Sequence, residues 1–272
     1  MKNQAFSSIL ALIFTFSIYS QNKDESIFTE KNKIELGATP PESILKIALS
    51  FLETPYVAST LEINETEQLV CNLQELDCFT FDENVLALYL TKKANSSSYS
   101  DFQDLLTQLR YRNNKIEGYA SRLHYFTEWV REAEKNGFIK DVTVEIGGEI
   151  ISKEVHFMSE NPKLYPKISD KKTLETIITY ENKINRKPLS QIAKTKVAAI
   201  ESQIREGDFI AMTSTIKNMD CNHVGVAILQ NGRIHLLHAS SSLKKVVISE
   251  KPLADYLQGN KKDAGIMVLR VL

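Results

Sequence analysis

A cysteine at the head of a helix-like run, and two histidines on one candidate strand, are the residues best suited to covalent chemistry here. In "LQELDCFTFDENVLALYL", residues 73 to 90, Cys78 stands where a strand-like run gives way to helical spacing, directly after Asp77, a residue type that caps helices. The thiolate is the reactive form of cysteine, and a free thiol at neutral pH is mostly protonated. A helix N-terminus carries partial positive charge and exposed amide donors, and both favour an anion there. If Asp77 caps the helix, Cys78 is its first residue, and its amide faces the oxyanion formed when sulfur attacks a carbonyl. A lone free cysteine is more often a buried small side chain, so a nucleophile also needs a base.

The histidines are His124, His156, His223, His235 and His238. In "HVGVAILQNGRIHLLHAS" the Asn231-Gly232 pair is the strongest two-residue hairpin signal. With those two residues as the loop, Gln230 pairs with Arg233, Ile228 with His235, and Gly225 with His238, leaving His223 two residues further along. Side chains alternate along a strand, so His223 and His238 share one face and His235 points to the other, as a solvent-facing or structural residue. Diagonal neighbours lie about 7–8 Å apart by backbone, and Gly225 leaves room for the two rings to meet. A slip of one residue would swap the faces. Two imidazoles on one face favour a catalytic reading of Cys78 over a packing one. His156 is expected to be structural.

The elements that must position these residues follow from patterning. Residues 22 to 40 are polar and expected to be extended. A helix is expected from Pro41, with Ile44, Ile47, Ala48 and Phe51 at helical spacing. "EQLVCNL" reads as a strand, the helix from Cys78 carries Phe81, Val85, Leu88 and Tyr89 on one face, and "ANSSSYS" is a loop. Residues 118 to 136 predict a helix with Tyr119, Leu123, Phe126, Val130 and Ala133 as its seam, stopped at Asn136-Gly137. On it Arg122, Tyr125 and Trp129 form a stripe suited to a carboxylate and a sugar ring, or equally to core packing and a surface ion pair. "DVTVEIGGEIISKEV" reads as a hairpin about Gly147-Gly148, and helices are expected near 171 to 183 and 197 to 205. The last third is strand-rich. Helices first and an antiparallel sheet after is an α+β arrangement.

Composition narrows the function classes. With a net charge of -1 and 25% charged residues, the chain lacks the basic excess of a nucleic-acid binder. Lys2 followed by a short apolar run to Tyr19 describes an export signal, cleaved near Ser20, and the run is too short and too interrupted for a comfortable membrane span. Residues 21 to 272 then form one catalytic domain with helical and hairpin elaborations around 95 to 200, without stable membrane insertion once the signal is removed. The three cysteines, Cys71, Cys78 and Cys221, are no disulfide framework, although a Cys71–Cys221 bridge would spare Cys78. Two histidines can serve as zinc ligands, but there is no H-E-x-x-H and no third ligand, so neither metal nor cofactor is expected.

"LDCFTF", "EGDFIAM", "NHVGVAI" and "LLHAS" resemble the NlpC-type cell-wall hydrolases, papain-like cysteine peptidases with a Cys, His, His triad; "TPYVAS" resembles the tyrosine segment that precedes their nucleophile. "YRNNKIEGYASRLHYFTEWV" and "PLADYLQGNKKDAGIMVLRV" resemble a bacterial subfamily described as N-acetylmuramoyl-L-alanine amidase-like. The resemblance covers most of residues 45 to 272. It implies a papain-like core, with a helix bearing the Cys packed on an antiparallel sheet bearing the His pair. Cys78 is then the nucleophile, His223 the base and later acid, His238 the group orienting His223, and Tyr56 a neighbour of oxyanion and substrate. Arg122, His124 and Tyr125 are the further candidates for substrate contact. Phe79 replaces the small polar residue that often follows the nucleophile, which narrows the cleft. The implied activity is cleavage of the amide between N-acetylmuramic acid and L-alanine in muramyl peptides. It would act as a monomer, exported, and periplasmic where the cell has an outer membrane. A γ-D-glutamyl-diaminopimelate endopeptidase and a non-catalytic muropeptide-binding module are the alternatives.

Overall fold

Eight strands, paired antiparallel throughout, make the sheet on which this chain is built. In the computed structural model, which describes residues 23 to 272, they are β1 (Ile139–Asp141), β2 (Glu149–Ile151), β3 (Leu189–Ala193), β4 (Phe209–Ser214), β5 (Cys221–Gln230), β6 (Arg233–Ser240), β7 (Lys245–Ile248) and β8 (Asp263–Val271). The leader expected over residues 1 to 20 lies outside the described residues. The strand order is β2-β3-β8-β4-β5-β6-β7, with β1 also paired to β8. Alternating side chains feed two cores. Phe209, Ala211, Val224, Val226 and Leu237 belong to one, Ile210, Met212, Ala227, Leu236 and Val268 to the other.

The first core is covered by α1 (residues 23 to 31), α2 (Pro40–Leu49), α3 (Cys78–Lys93), α4 (Tyr99–Arg110) and α5 (Phe126–Lys135). α6 (Phe157–Glu160) and α7 (Lys171–Ile184) lie in the elaboration between β2 and β3. α8 (Val197–Ile200) and α9 (Leu253–Gly259) pack over the second core. The α+β class expected from the patterning is the class found. Among the described residues, no helix is long and apolar enough to cross a membrane.

Helix α3 is buried on every side, from Thr80 through Thr91, rather than on the one face expected for it. Its polar interior residues therefore need partners inside the protein. Glu83 accepts from Arg110 Nε at 2.9 Å and pairs with its terminal nitrogen at 2.8 Å, both side chains being almost wholly inaccessible. Arg110 also donates to the carbonyl of Val70. This contact explains one departure from expectation: residues 67 to 73 form no strand. Their backbone groups bond instead to side chains, Leu73 N–H to Asp24, Asn72 C=O from Asn84 and Gln68 C=O from Tyr111. Asp24 belongs to a helix that replaces the extended segment expected over 22 to 40, and Phe28 of that helix is buried against Tyr99 and Phe102.

Two further expectations are corrected, and the disulfide bridge left open is not formed. The helix expected over 118 to 136 begins only at Phe126. Gly118 takes a φ of 83°, Arg122 is extended, and Leu123 N–H donates to Arg110 C=O across a bridge between Tyr111 and Arg122. The hairpin about Gly147-Gly148 is absent because β1 pairs with β8 and β2 with β3. All three thiols are free, including Cys71 and Cys221.

Removing one member of a buried ion pair leaves a charge with no partner, at a cost of about 3–5 kcal/mol. Arg110→Met is accordingly expected to lower unfolding free energy by about 3–5 kcal/mol, read from the midpoint of denaturant unfolding. The Arg110→Met/Glu83→Leu double variant is expected to recover most of that loss. A single-variant loss under about 1 kcal/mol, typical of a surface pair, would contradict this account.

Candidate active site

The start of α3 is fixed by a reciprocal cap. Asp77 Oδ1 accepts from Thr80 N–H at 2.8 Å, and Asp77 N–H donates to Thr80 Oγ1 at 2.9 Å. Cys78 is thus the first helical residue, as the sequence predicts, and is half-buried. Cys78 lines the same cavity as Val224 and His223 of β5, and the Val224 N–H acts to lower the thiol's pKa.

The hairpin register is the one read from Asn231-Gly232: Gln230 faces Arg233, and Ile228 faces His235. Both turn residues have positive φ, 51° and 78°, as a tight two-residue hairpin turn needs. His223 and His238 meet through Nε2 and Nδ1 at 2.6 Å, their rings perpendicular. Gly225 makes this possible, because a Cβ there would lie 2.8 Å from His238 Cβ and 2.7 Å from Leu237 C=O. His238 is buried beneath Tyr256 of α9, with ring centroids 5.7 Å apart. His235 is buried, not solvent-facing; its Nδ1–H donates to Ser249 C=O. His156 is held by Asn185 beside Glu181.

Cys78, His223 and His238 line one cavity of about 640 Å³, together with Phe79, His124, Asp220, Tyr256 and Lys262. Its walls come from both faces of the sheet, Phe79 from α3 and Tyr256 from α9. Asp220 is buried and accepts the Thr127 N–H, capping α5 from the loop before β5.

Burial dominates the electrostatics. It pushes the Cys78 thiol up to about 12, helped by the negative charges of Asp77 and Asp82 and opposed by the Val224 N–H. Burial brings His223 down to about 4, and burial with the neighbouring His223 brings His238 down to about 3. All three groups are therefore neutral at pH 7. A neutral thiol sharing a cleft with neutral imidazoles is not a resting thiolate–imidazolium pair.

The other sequence candidates are dispersed. Tyr56 is half-buried and bridges to Leu76; burial first, and then the charges of Cys78 and Asp77, raise its hydroxyl pKa, yet it lines neither large cavity. Arg122 is buried, pairs with Glu62 and Glu67, and lines a second cavity. His124 lines both cavities; its Nε2–H donates to Tyr119 C=O, which leaves Nδ1 as the acceptor. Tyr125 donates to Glu181 and accepts from Met158 N–H, and it lines neither cavity. The expected stripe of Arg122, Tyr125 and Trp129 does not exist, because only Trp129 is helical, fully buried against Phe126 and Phe79. Asp220 carried no motif that marks it, and Tyr256 and Lys262, though inside the segment that resembles the amidase-like subfamily, were assigned no role; they reach the cleft through strand pairing and the packing of α9.

A thiol at a helix start shares one open cleft with a pair of touching imidazoles, residue types that acyl-transfer sites use. Comparison with known proteins gives the family. The profile described as AmiA-like, N-acetylmuramoyl-L-alanine amidase-like, matches residues 46–266, and the chain belongs to that family. The crystal structure of an N-acetylmuramoyl-L-alanine amidase from Bacteroides uniformis is 38% identical with a TM-score of 0.80, covering 86% of this chain and 99% of that one. A Bacteroides fragilis protein described as a candidate xylanase is 37% identical, TM-score 0.76, over 82% of this chain and 98% of its own. A Legionella pneumophila protein, 23% identical over 94% of this chain and 95% of its own with a TM-score of 0.69, shares the fold. No curated protein matches.

With the Cys78 pKa near 12, the thiolate fraction rises tenfold per pH unit through the neutral range. Alkylation of Cys78 by iodoacetamide in the free protein, followed by peptide mass mapping, is expected to accelerate about tenfold per unit from pH 7 to pH 9 with no plateau. A rate that is flat between pH 5 and pH 8 would mean a resting thiolate–imidazolium pair and would contradict the neutral site.

Proposed function

We propose that the chain is an exported cysteine amidase with a papain-like, NlpC-type core, cleaving the amide between the lactyl group of N-acetylmuramic acid and L-alanine. Its substrate is peptidoglycan or soluble muropeptide. The observation that carries the mechanism is the 2.6 Å contact between His223 Nε2 and His238 Nδ1, in the cleft that holds Cys78 at the start of α3. Membership of the amidase-like family supports the choice of bond. The apolar leader supports export, into the periplasm where the cell has an outer membrane.

In this reading His223 accepts the thiol proton through Nδ1, while its Nε2–H donates to unprotonated Nδ1 of His238 and fixes the tautomer. Sulfur attacks the carbonyl carbon, and the π electron pair moves to oxygen, which the Cys78 amide receives. On collapse the C–N bond breaks, and His223 gives its proton to the departing α-amine of L-alanine, leaving a thioester. His223 then takes a proton from water. The resulting attack splits the thioester, releasing the muramic carboxylate and returning the proton to sulfur.

A glycosidase needs two carboxyl groups facing each other across the bond. The Cys78 cleft is lined by a single carboxylate residue, Asp220, which is engaged with Thr127 N–H, so the cleft supports acyl transfer instead.

Mass spectrometry of a defined muramyl-peptide digest tests the proposal. Reduced wild type is expected to release free N-acetylmuramic acid sugar and an intact peptide beginning with L-alanine. Cys78→Ala is expected to lose on the order of 10³-fold or more of that activity, as when a nucleophile is removed elsewhere. Cleavage after D-glutamate would make the chain an endopeptidase. Saturable muropeptide binding without turnover would make it a binding module.

A further inference from the structure

A second cavity, of about 510 Å³, adjoins the first, and Phe79 and His124 line both. Its other walls come from the turn at 59–62, the segment 119–123 and the segment 164–167. His223 and His238 line the first cavity and not the second. That division orients a substrate. The leaving nitrogen must be protonated by the imidazole, so it lies on the histidine side of the sulfur. The acyl group that stays on sulfur extends to the other side. From Cys78 that other side is Asp77 and Phe79, which form part of the second cavity.

We infer that the second cavity holds the acyl portion of the substrate, the N-acetylated sugar ring with its lactyl ether, and that the first cavity holds the stem peptide. This rests on the amidase reading above. The chemistry of the two cavities fits the assignment. The second presents the rings of Phe79, Tyr119, His124 and Tyr165, and aromatic rings pack well on the apolar face of a sugar. Its two cations are already engaged: Arg122 pairs with Glu62 and Glu67, and the Lys167 ammonium donates to the carbonyls of Asn64 and Glu65. With the Glu62 and Asp77 carboxylates also in the wall, it suits a neutral sugar and disfavours the carboxylates of a stem peptide. The first cavity differs: alongside Asp220, which is engaged with the Thr127 N–H, its lining includes exposed Lys262, which makes no side-chain ion pair with the described residues.

The test uses the Cys78→Ala protein and the N-methylamide of N-acetylmuramic acid, a neutral probe with an intact amide. NMR titration is expected to shift amides around Glu62, Tyr119 and Tyr165, and Tyr165→Ala is expected to weaken binding about tenfold or more, about 1.4 kcal/mol. Leu164→Ser, at a rim side chain that is 64% exposed and safe for folding, is expected to weaken it in the same direction. Shifts confined to Ser242 and Lys262, unchanged affinity in both variants, or no binding at millimolar probe would overturn the assignment. If the probe binds in a Tyr165-dependent way while active wild type leaves the muramyl–L-alanine amide uncut, the sugar site stands and the amidase reading fails.

Discussion

The reciprocal hydrogen bonds between Asp77 and Thr80 decide where α3 begins, and the geometry of the cleft follows from that position. A start one residue later would move Cys78 out of the first turn and its amide away from where the proposed oxyanion would form. The cap alone is worth only about 1 kcal/mol, so it is held from behind. α3 is enclosed along its length, and the Glu83–Arg110 pair ties it to α4 and to the irregular segment 67–73 that leads into it. α3 then packs along β5, so that Cys78 and His223 line one cavity.

The imidazole pair depends on a different constraint, the close approach of β5 and β6 at Gly225. The same enclosure that fixes the rings removes water from them, which holds both neutral and holds the thiol protonated. On the proposed mechanism, such a site would hold its thiol protonated until a carbonyl arrives.

Where local chemistry decides structure, the sequence was legible. Asn231-Gly232 predicts its own turn, and the turn sets the register that brings His223 and His238 together. Asp77 before Cys78 predicts the helix start. Where partners distant in the chain decide, local pattern misled. The apolar seam from Tyr119 to Ala133 is genuine, but Gly118 at positive φ and the bridge between Tyr111 and Arg122 hold its first half extended. The strands beside Gly147-Gly148 pair with β8 and β3 rather than with each other. Gln68 to Leu73 has strand-like composition, yet Asp24, Asn84, Arg110 and Tyr111 supply its hydrogen bonds. Of the candidate site, the nucleophile and histidines are local in this sense. The second cavity is built from segments about a hundred residues apart; Asp77, Phe79, Arg122 and His124 were singled out from the sequence for roles at the site and Tyr119 and Leu123 for packing, whereas nothing marked residues 59–62 and 164–167.

The most direct test of the central claim is to trap the covalent intermediate. Wild type is mixed with a defined N-acetylmuramoyl-L-alanyl peptide, quenched in acid within one turnover, digested and mapped by mass spectrometry. The account predicts an N-acetylmuramoyl thioester on the peptide that contains Cys78, absent when Cys78 is alkylated beforehand. A peptidyl rather than muramoyl adduct, or undiminished hydrolysis by protein whose Cys78 is blocked, would contradict it.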